Sequence, residues 1–286
     1  MDLFLQQLIN GIALGSVYSL AALGLTLVFG VLRIPNLAHG ALYMVGAYVT
    51  YFALTSYGIP YIAAIAVAAV ILGAIGVLME RVVFHPLRNA PHTHHLIAAV
   101  GVLFFLQSGA QVLWGSDFRE MPSPFAGTIQ LFGLSIGQQR LVVIGASVAV
   151  MVALYLFLKK TVPGQTIEAI EQDRTGASLV GIDANRVSMM TFGISAALAA
   201  VAAGLVAPIN LLSPTMGEAL NLKVFAIIIL GGLGSIPGAI VGGFALALAE
   251  VFSNTYISSA FGEAIGFLFL LVVLAVRPTG LFSKGA

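Results

Sequence analysis

The sequence predicts an all-α, polytopic helical membrane protein of eight or nine transmembrane helices, some of them discontinuous. Composition is the first reason: 59% of the 286 residues are hydrophobic and 8% are charged, against roughly 25% charged in a typical soluble domain. So few charges cannot cover a soluble surface. The second reason is a series of apolar runs long enough to cross a hydrocarbon core about 30 Å thick. The third is negative, since the alternating segments of about ten residues that build a membrane β-barrel are missing.

In order, the apolar runs fall at 8–31, 40–57, 60–79, 96–114, 139–158, 188–208, 222–252 and 262–276. The first has no basic region before it and no small-residue cleavage site, and it reads as a retained span rather than a removable signal peptide. The seventh, KVFAIIILGGLGSIPGAIVGGFALALAEVF, is too long for one crossing and is interrupted by Gly231, Gly232, Gly234 and Pro237. It reads as two helical pieces meeting at a non-helical turn. At membrane depth such a turn must be buried in protein or line a wet cavity. The first span ends in a related way, FGVLRIPNLAHGALYMVGAY. Both breaks put Gly-x-Leu before Ile-Pro, a pattern that fits two broken helices facing each other at a substrate, where exposed helix N-termini attract a carboxylate. Other small-residue pairs, such as Gly11 with Gly15 and Gly238 with Gly242, read as close helix packing. The whole chain, 1–286, reads as a single transmembrane domain.

Lysine and arginine asymmetry sets the orientation. Arg33, Arg81, Arg88, Lys159, Lys160, Arg174, Arg186, Arg277 and Lys284 fall on one side, leaving Arg119, Arg140 and Lys223 on the other. The richer side is cytoplasmic, so the N-terminus faces out, the C-terminus faces in, and loops 115–138 and 210–221 are external. The loop 159–187 is then cytoplasmic. Its segment GQTIEAIEQDRTGASLVGIDANRV holds six of the chain's 23 Asp, Glu, Lys and Arg residues. Inside a bilayer those six would cost on the order of 15–20 kcal/mol. The pattern predicts a short helix over 165–173, a break at Thr175 and Gly176, a second turn over 177–180 and a stop at Gly181. Asp183 caps the next span. Ile167, Ile170, Leu179, Val180 and Ile182 are expected to be exposed, an apolar patch that calls for a partner protein or the headgroup surface.

Several function classes are excluded or disfavoured. There is no GxxxxGK[ST], so the chain does not itself bind ATP in the usual way, and HExxH, GxSxG and catalytic carboxylate pairs are missing as well. Zero cysteines remove thiolate metal sites. His85, His92, His94 and His95 in FHPLRNAPHTHHL read as solvated loop histidines rather than a metal centre. Glu80, Lys223, Glu250 and Glu263 fall near span ends, leaving the span interiors without charge. That counts against a proton-driven carrier, while sodium coupling through backbone carbonyls stays open.

Four motifs in order, RIPNLAHGALYMVGAY, QDRTGASLVGIDANRV, LGGLGSIPGAIVGG and RPTGLF, resemble the membrane permease of bacterial branched-chain amino acid ABC importers. Urea and short-chain amide importers resemble the same family. The resemblance implies a type II importer fold in the bacterial inner membrane, transport by alternating access, and no cofactor. The partners it implies are a second homologous permease, two cytoplasmic ATPase subunits, a periplasmic substrate-binding protein, an amino acid substrate and membrane lipid, with no nucleic acid. It also implies that 159–187 is a coupling loop on which an ATPase docks, through Ile167, Glu168, Ile170, Glu171, Asp173, Arg174, Ala177, Leu179, Gly181 and Ile182. Ala177, Gly181 and Ile182 match the family's Ala-x-x-x-Gly-Ile. The Glu-Ala-Ala form is matched only by Glu168-Ala169, with Ile170 in place of the second alanine. A pathway walled by Leu, Ile, Val and Ala suits a branched aliphatic substrate. Its candidate lining is Asn36, His39 and Gly40 at the first break and Gly231, Gly232, Gly234, Ser235 and Pro237 at the second. The main rival is a stand-alone secondary transporter of a small amino acid or amide, with a receptor or scaffold subunit third.

Overall fold

The structure, a computed structural model, describes residues 2–33, 35–131, 134–258, 262–277 and 280–282. Lys284 and the side chain of Glu263 lie outside the described residues. Helix α1 (Asp2–Leu32) is followed by α2 (His39–Thr55) and α3 (Tyr61–Met79), which runs through a π-turn (Glu80–Phe84) into the single turn α4 (His85–Leu87). Then come α5 (His92–Trp114), a hairpin of β1 (Thr128–Leu131) and β2 (Leu134–Gly137), and α6 (Gln138–Lys160). Two short helices, α7 (Val162–Gln172) and α8 (Arg174–Leu179), lead to α9 (Ala184–Val206), α10 (Met216–Gly231), α11 (Ile236–Tyr256) and α12 (Gly262–Val276).

Among the described residues six helices, α1, α3 with its extension, α5, α6, α9 and α11, are long and apolar enough to cross a membrane. Helices α2, α10 and α12, of 17, 16 and 15 residues, are equally apolar and shorter. The chain is a multi-pass helical membrane protein. Helices α1 and α9 form its centre, and α5 lies at its edge, mostly uncovered.

Small residues bring the helices together, because lipid offers no hydrophobic drive between apolar helices and close packing must supply the contact. Along α1, Gly11 faces Leu248, Gly15 faces Phe244 and Ser19 faces Gly243, all on α11. Ala196, Ala199, Ala200 and Ala203 give α9 a buried small-residue face, against which Gly46 of α2 and Gly76 of α3 are set.

The two predicted breaks are real, and each has a local cause. Helix α1 stops where Arg33 takes a left-handed φ of 56° and Pro35 follows, unable to continue the helix. The long seventh run folds back on itself. Gly231 packs against Gly238, Ile227 lies against Gly242, and α10 and α11 form an antiparallel pair. Their turn needs positive φ at Gly232 (99°) and Gly234 (82°), which glycine adopts without strain. Ser235 then caps α11 by accepting from Gly238 N at 3.1 Å. The turn is not in the middle of the bundle. A β-carbon placed on Gly234 would lie 3.8 Å from Gly30 Cα, beside α7, so the turn sits at the α7 end. Its backbone is also less open than a lipid-depth break requires. Leu281 N and Phe282 N donate to Leu230 O and Gly231 O at 2.8 and 3.0 Å, so the C-terminal segment satisfies carbonyls that α10 leaves free.

Two features of the opposite end were not expected. The loop 115–138 carries the β1–β2 hairpin, and it is joined to loop 210–215 by paired backbone bonds between Arg119 and Leu212 at 3.0 and 2.9 Å. Both loops therefore lie on one face, as the charge asymmetry predicts.

Candidate functional site

The charged segment is a compact module built by side-chain caps. Thr161 accepts from Gly164 N at 3.1 Å and starts α7, with Pro163 in its first turn. Gly164 itself lies directly on Phe157 O and Leu158, a closeness only glycine allows. Asp173 accepts from Thr175 N at 2.9 Å and starts α8, so the break falls at Asp173 and the predicted break residues, Thr175 and Gly176, lie inside the first turn of α8. At the end of α8, Gly181 N donates to Ser178 O and Ile182 N to Ala177 O, both at 3.1 Å, with Gly181 at φ 89°. This is the Schellman closure that glycine stops a helix with. Asp183 then caps α9 through Asn185 N at 2.9 Å, as the sequence predicts.

Helix α7 is amphipathic, and its apolar face turns inward. Ile167 and Ile170 are 1% and 3% exposed, so these two members of the expected exposed patch are core residues. The reason is that α7 lies against α6, α9 and the end of α1, which cover them. Ala177 is buried too, and Ile182 is half-buried. Leu179 and Val180 are bare, at 84% and 77% exposure. Glu168 pairs with Lys159 at 2.8 Å, a partly exposed pair worth little to stability. The Glu171 carboxyl group lies against Gly30. Asp173 and Arg174 are exposed.

Between this module and the α10–α11 turn is a cavity of about 740 Å³. Lys159, Glu168 and Glu171 line it from the charged module and Leu233, Gly234, Ser235 and Pro237 from the turn, and Phe282 lines it as well. The structure thus brings two groups of sequence candidates to one place, the charged loop and the second break. Gly231 and Gly232 lie buried behind that wall.

The first break leads elsewhere. Asn36, His39 and Gly40 are fully buried at the N-terminus of α2, inside the bundle rather than at an interface. His39 Nε2 donates to Ala21 O at 2.9 Å, since a carbonyl can only accept, and its Nδ1 faces Ser195 Oγ at 3.5 Å. Asn36 Oδ1 accepts from Ala38 N at 3.1 Å, and Asn221 Nδ2 of α10 donates to Leu37 O at 2.8 Å. Among the described residues Asn36 Nδ2 and Asn221 Oδ1 have no hydrogen-bond partner. Gly40 and Gly217 touch backbone to backbone and close the cluster.

Span interiors are not free of charge, contrary to the sequence expectation. Lys223 and Glu250 form an ion pair at 2.8 Å with side chains 13% and 11% exposed. Tyr18 of α1 donates to Glu250 Oε2 and accepts from Lys223 Nζ, both at 3.0 Å. The error came from locating the two residues by distance from run ends; the fold-back of α10 on α11 turns them toward each other. The sequence signal was weak: opposite charges on the two sides of a glycine-rich turn, 8 residues before Gly231 and 13 after Pro237. Glu80 is likewise buried, 3.9 Å from His85 Nδ1. His92 and His94 are exposed on the first turn of α5, whereas His95 is buried beside Pro91 O and is not a solvated loop residue.

A family profile described as branched-chain amino acid transport system / permease component matches residues 7–276. The high-affinity branched-chain amino acid transport system permease protein LivH of Salmonella typhimurium is 38% identical over 98% of this chain and 96% of its own length. BraD of Pseudomonas aeruginosa, a permease protein of the same description, is 34% identical over the same shares, 98% and 96%. Among solved structures, PsaBC from Streptococcus pneumoniae in complex with Fab superposes with a TM-score of 0.53 at 14% identity, over 98% of this chain and 93% of that one, a likeness of fold. Broken helices, a capped charged module between α6 and α9, and a match along nearly the whole sequence agree: the chain belongs to the family of permease components of branched-chain amino acid transport systems.

Proposed function

We propose that this chain is one of two related permease subunits of an ATP-driven importer of branched-chain aliphatic amino acids. Two ATPase subunits dock at the α7 end, and a periplasmic binding protein delivers substrate to the opposite end. The observation that carries this reading is the two-sided build of 162–183. Ile167 and Ile170 fix the module to its own bundle, while Leu179 and Val180 stand bare beside the glycine stop. A helix resting on lipid headgroups turns its apolar face to the membrane. Here α7 turns that face to the protein, and the end of α8 offers a separate apolar knob to a partner.

Coupling follows from what α7 touches. Glu171 lies against Gly30 at the end of α1 and near Gly234 in the α10–α11 turn, so a push on α7 moves both breaks together. The first break carries the Asn36, His39 and Asn221 cluster. Its unpartnered amide nitrogen and oxygen are groups that a passing zwitterion satisfies, since buried polar groups without partners are costly. Hydrolysis belongs to the ATPases, this chain having no phosphate-binding loop.

Affinity purification of the tagged chain in mild detergent tests the reading: a second permease and ATPase subunits are expected with it. A lone chain that transports by itself would overturn it. One observation favours that second reading, a stand-alone ion-coupled carrier, namely the buried Lys223–Glu250 pair, because intramembrane charges commonly mark ion pathways.

A further inference from the structure

We propose that the cleft at the end of the bundle opposite α7 binds an aliphatic amino acid, with Arg140 receiving its carboxylate. The inference rests on the amino acid reading above and adds a site to it. The cleft, about 260 Å³, is walled by the N-terminal half of α1, the start of α6 and the ends of α9 and α11. Its floor is aliphatic, with Val17, Val143 and Val206 buried there. Its rim is polar, with Asn10, Asn254 and the half-buried Arg140.

Arg140 is the reason to expect an anion. It donates to Asn10 Oδ1, and Asn10 Nδ2 in turn donates to Gln7 Oε1 at 2.9 Å. These bonds set the guanidinium in position without neutralising it. Among the described residues no carboxylate lies within 4.0 Å of it, and the residues lining the cleft include no Asp or Glu. A guanidinium carries five donors in a planar fork suited to a carboxylate, and the single Asn10 acceptor leaves most of them open. Asn254 at the rim offers a carbonyl oxygen to an ammonium group. Charge at the rim over a valine floor is the complement of a zwitterion with a branched aliphatic side chain. The same site accounts for loading at the face where substrate arrives.

The test is equilibrium binding of leucine to the transport complex, without its binding protein, in nanodiscs of neutral phospholipid, with leucinamide as the competitor that lacks the carboxylate. The wild-type complex is expected to prefer leucine to leucinamide. Arg140→Gln is expected to weaken leucine by about 10- to 100-fold, the loss of one charge-assisted pair, and to abolish the preference. Arg140→Lys, which keeps the charge, is expected to retain it, and recovery of the assembled complex reports folding for each variant. Leucine binding unchanged in Arg140→Gln overturns the site, as does an effect of Arg140 seen only in discs containing anionic phospholipid, which would make it a lipid phosphate site. Leucine uptake by the complete complex, measured alongside, separates the two failures. Uptake with binding indifferent to Arg140 removes only this site, whereas no leucine uptake by wild type removes the amino acid reading and the site with it.

Discussion

Lys223 Nζ lies 2.8 Å from Glu250 Oε1, with the Tyr18 hydroxyl bonded to both side chains, so opposite charges are held inside a bundle of aliphatic and small residues. Removing one partner strands the other, which typically costs about 3–5 kcal/mol when the pair is buried. Lys223→Met and Glu250→Gln are each expected to lower stability by that order in denaturant titrations of the detergent-solubilised protein. The double variant Lys223→Met with Glu250→Leu is expected to lose much less than the sum. Additive losses would show that the two charges do not depend on each other.

Glycines fall into two kinds. A β-carbon on Gly217 or Gly231 would run into the backbone of Gly40 or Gly238, whereas one on Gly101 or Gly109 of α5 meets nothing within 4 Å. Gly217→Val and Gly231→Val are therefore expected to destabilise by about 3 kcal/mol or more, the upper range for overpacking. Gly101→Ala is expected to be neutral or to gain up to about 1 kcal/mol from helix propensity. Yield and thermal midpoint in detergent give the ranking, and equal behaviour of the two kinds would contradict the packing described.

The charged module separates docking from folding. Leu179→Asp and Val180→Asp, at bare positions, are expected to change stability by no more than about 0.5 kcal/mol and to lose co-purifying ATPase. Ile167→Ala, in the core, is expected to cost about 2–5 kcal/mol. Replacing Gly181 by a bulky residue strains a left-handed backbone by roughly 1–2 kcal/mol and is expected to weaken docking as well. Undiminished ATPase recovery in the Leu179 and Val180 variants would remove the coupling role from this surface.

What was legible in the sequence was what local chemistry decides. Asp183 and Gly181 act through their own neighbours, so a cap and a stop could be read directly. Glycine and proline in LGGLGSIPG announced a break, and apolar runs announced the long helices. What failed depended on which face met which. Ile167 and Ile170 have the spacing of an apolar stripe, and only the fold says that α7 lays this stripe on its own chain. Lys223 and Glu250 looked peripheral because depth was judged along the chain, while α10 and α11 meet across a turn. The β1–β2 hairpin, TIQL and LSIG, has strands of only four residues each, too short for a period-two pattern to stand out from the sequence.

Cavity lining gives a chemical prediction in a chain without cysteines. Ser235 lines the cavity beside α7 and is half-buried, while Ser195 is 1% exposed in the bundle. Ser235→Cys is expected to react with a small hydrophilic thiol reagent added from the α7 side, and Ser195→Cys to stay unmodified under the same conditions. Protection of Ser235→Cys by bound ATPase subunits would put the cavity at the docking surface. An inert cysteine with and without the ATPases would mean that the turn is packed shut.

The central claim is that ATP, not an ion gradient, drives this permease. It is tested most directly by leucine uptake into proteoliposomes holding the complete complex, with ATP enclosed on the ATPase side and a protonophore added. Uptake is expected to follow enclosed ATP and to persist when the protonophore collapses the gradient, because Lys223 and Glu250 neutralise each other at 2.8 Å and serve the fold rather than a proton path. Uptake that stops with the protonophore while ATP is still hydrolysed would contradict the account and turn the same buried pair into the first candidate for a coupling site.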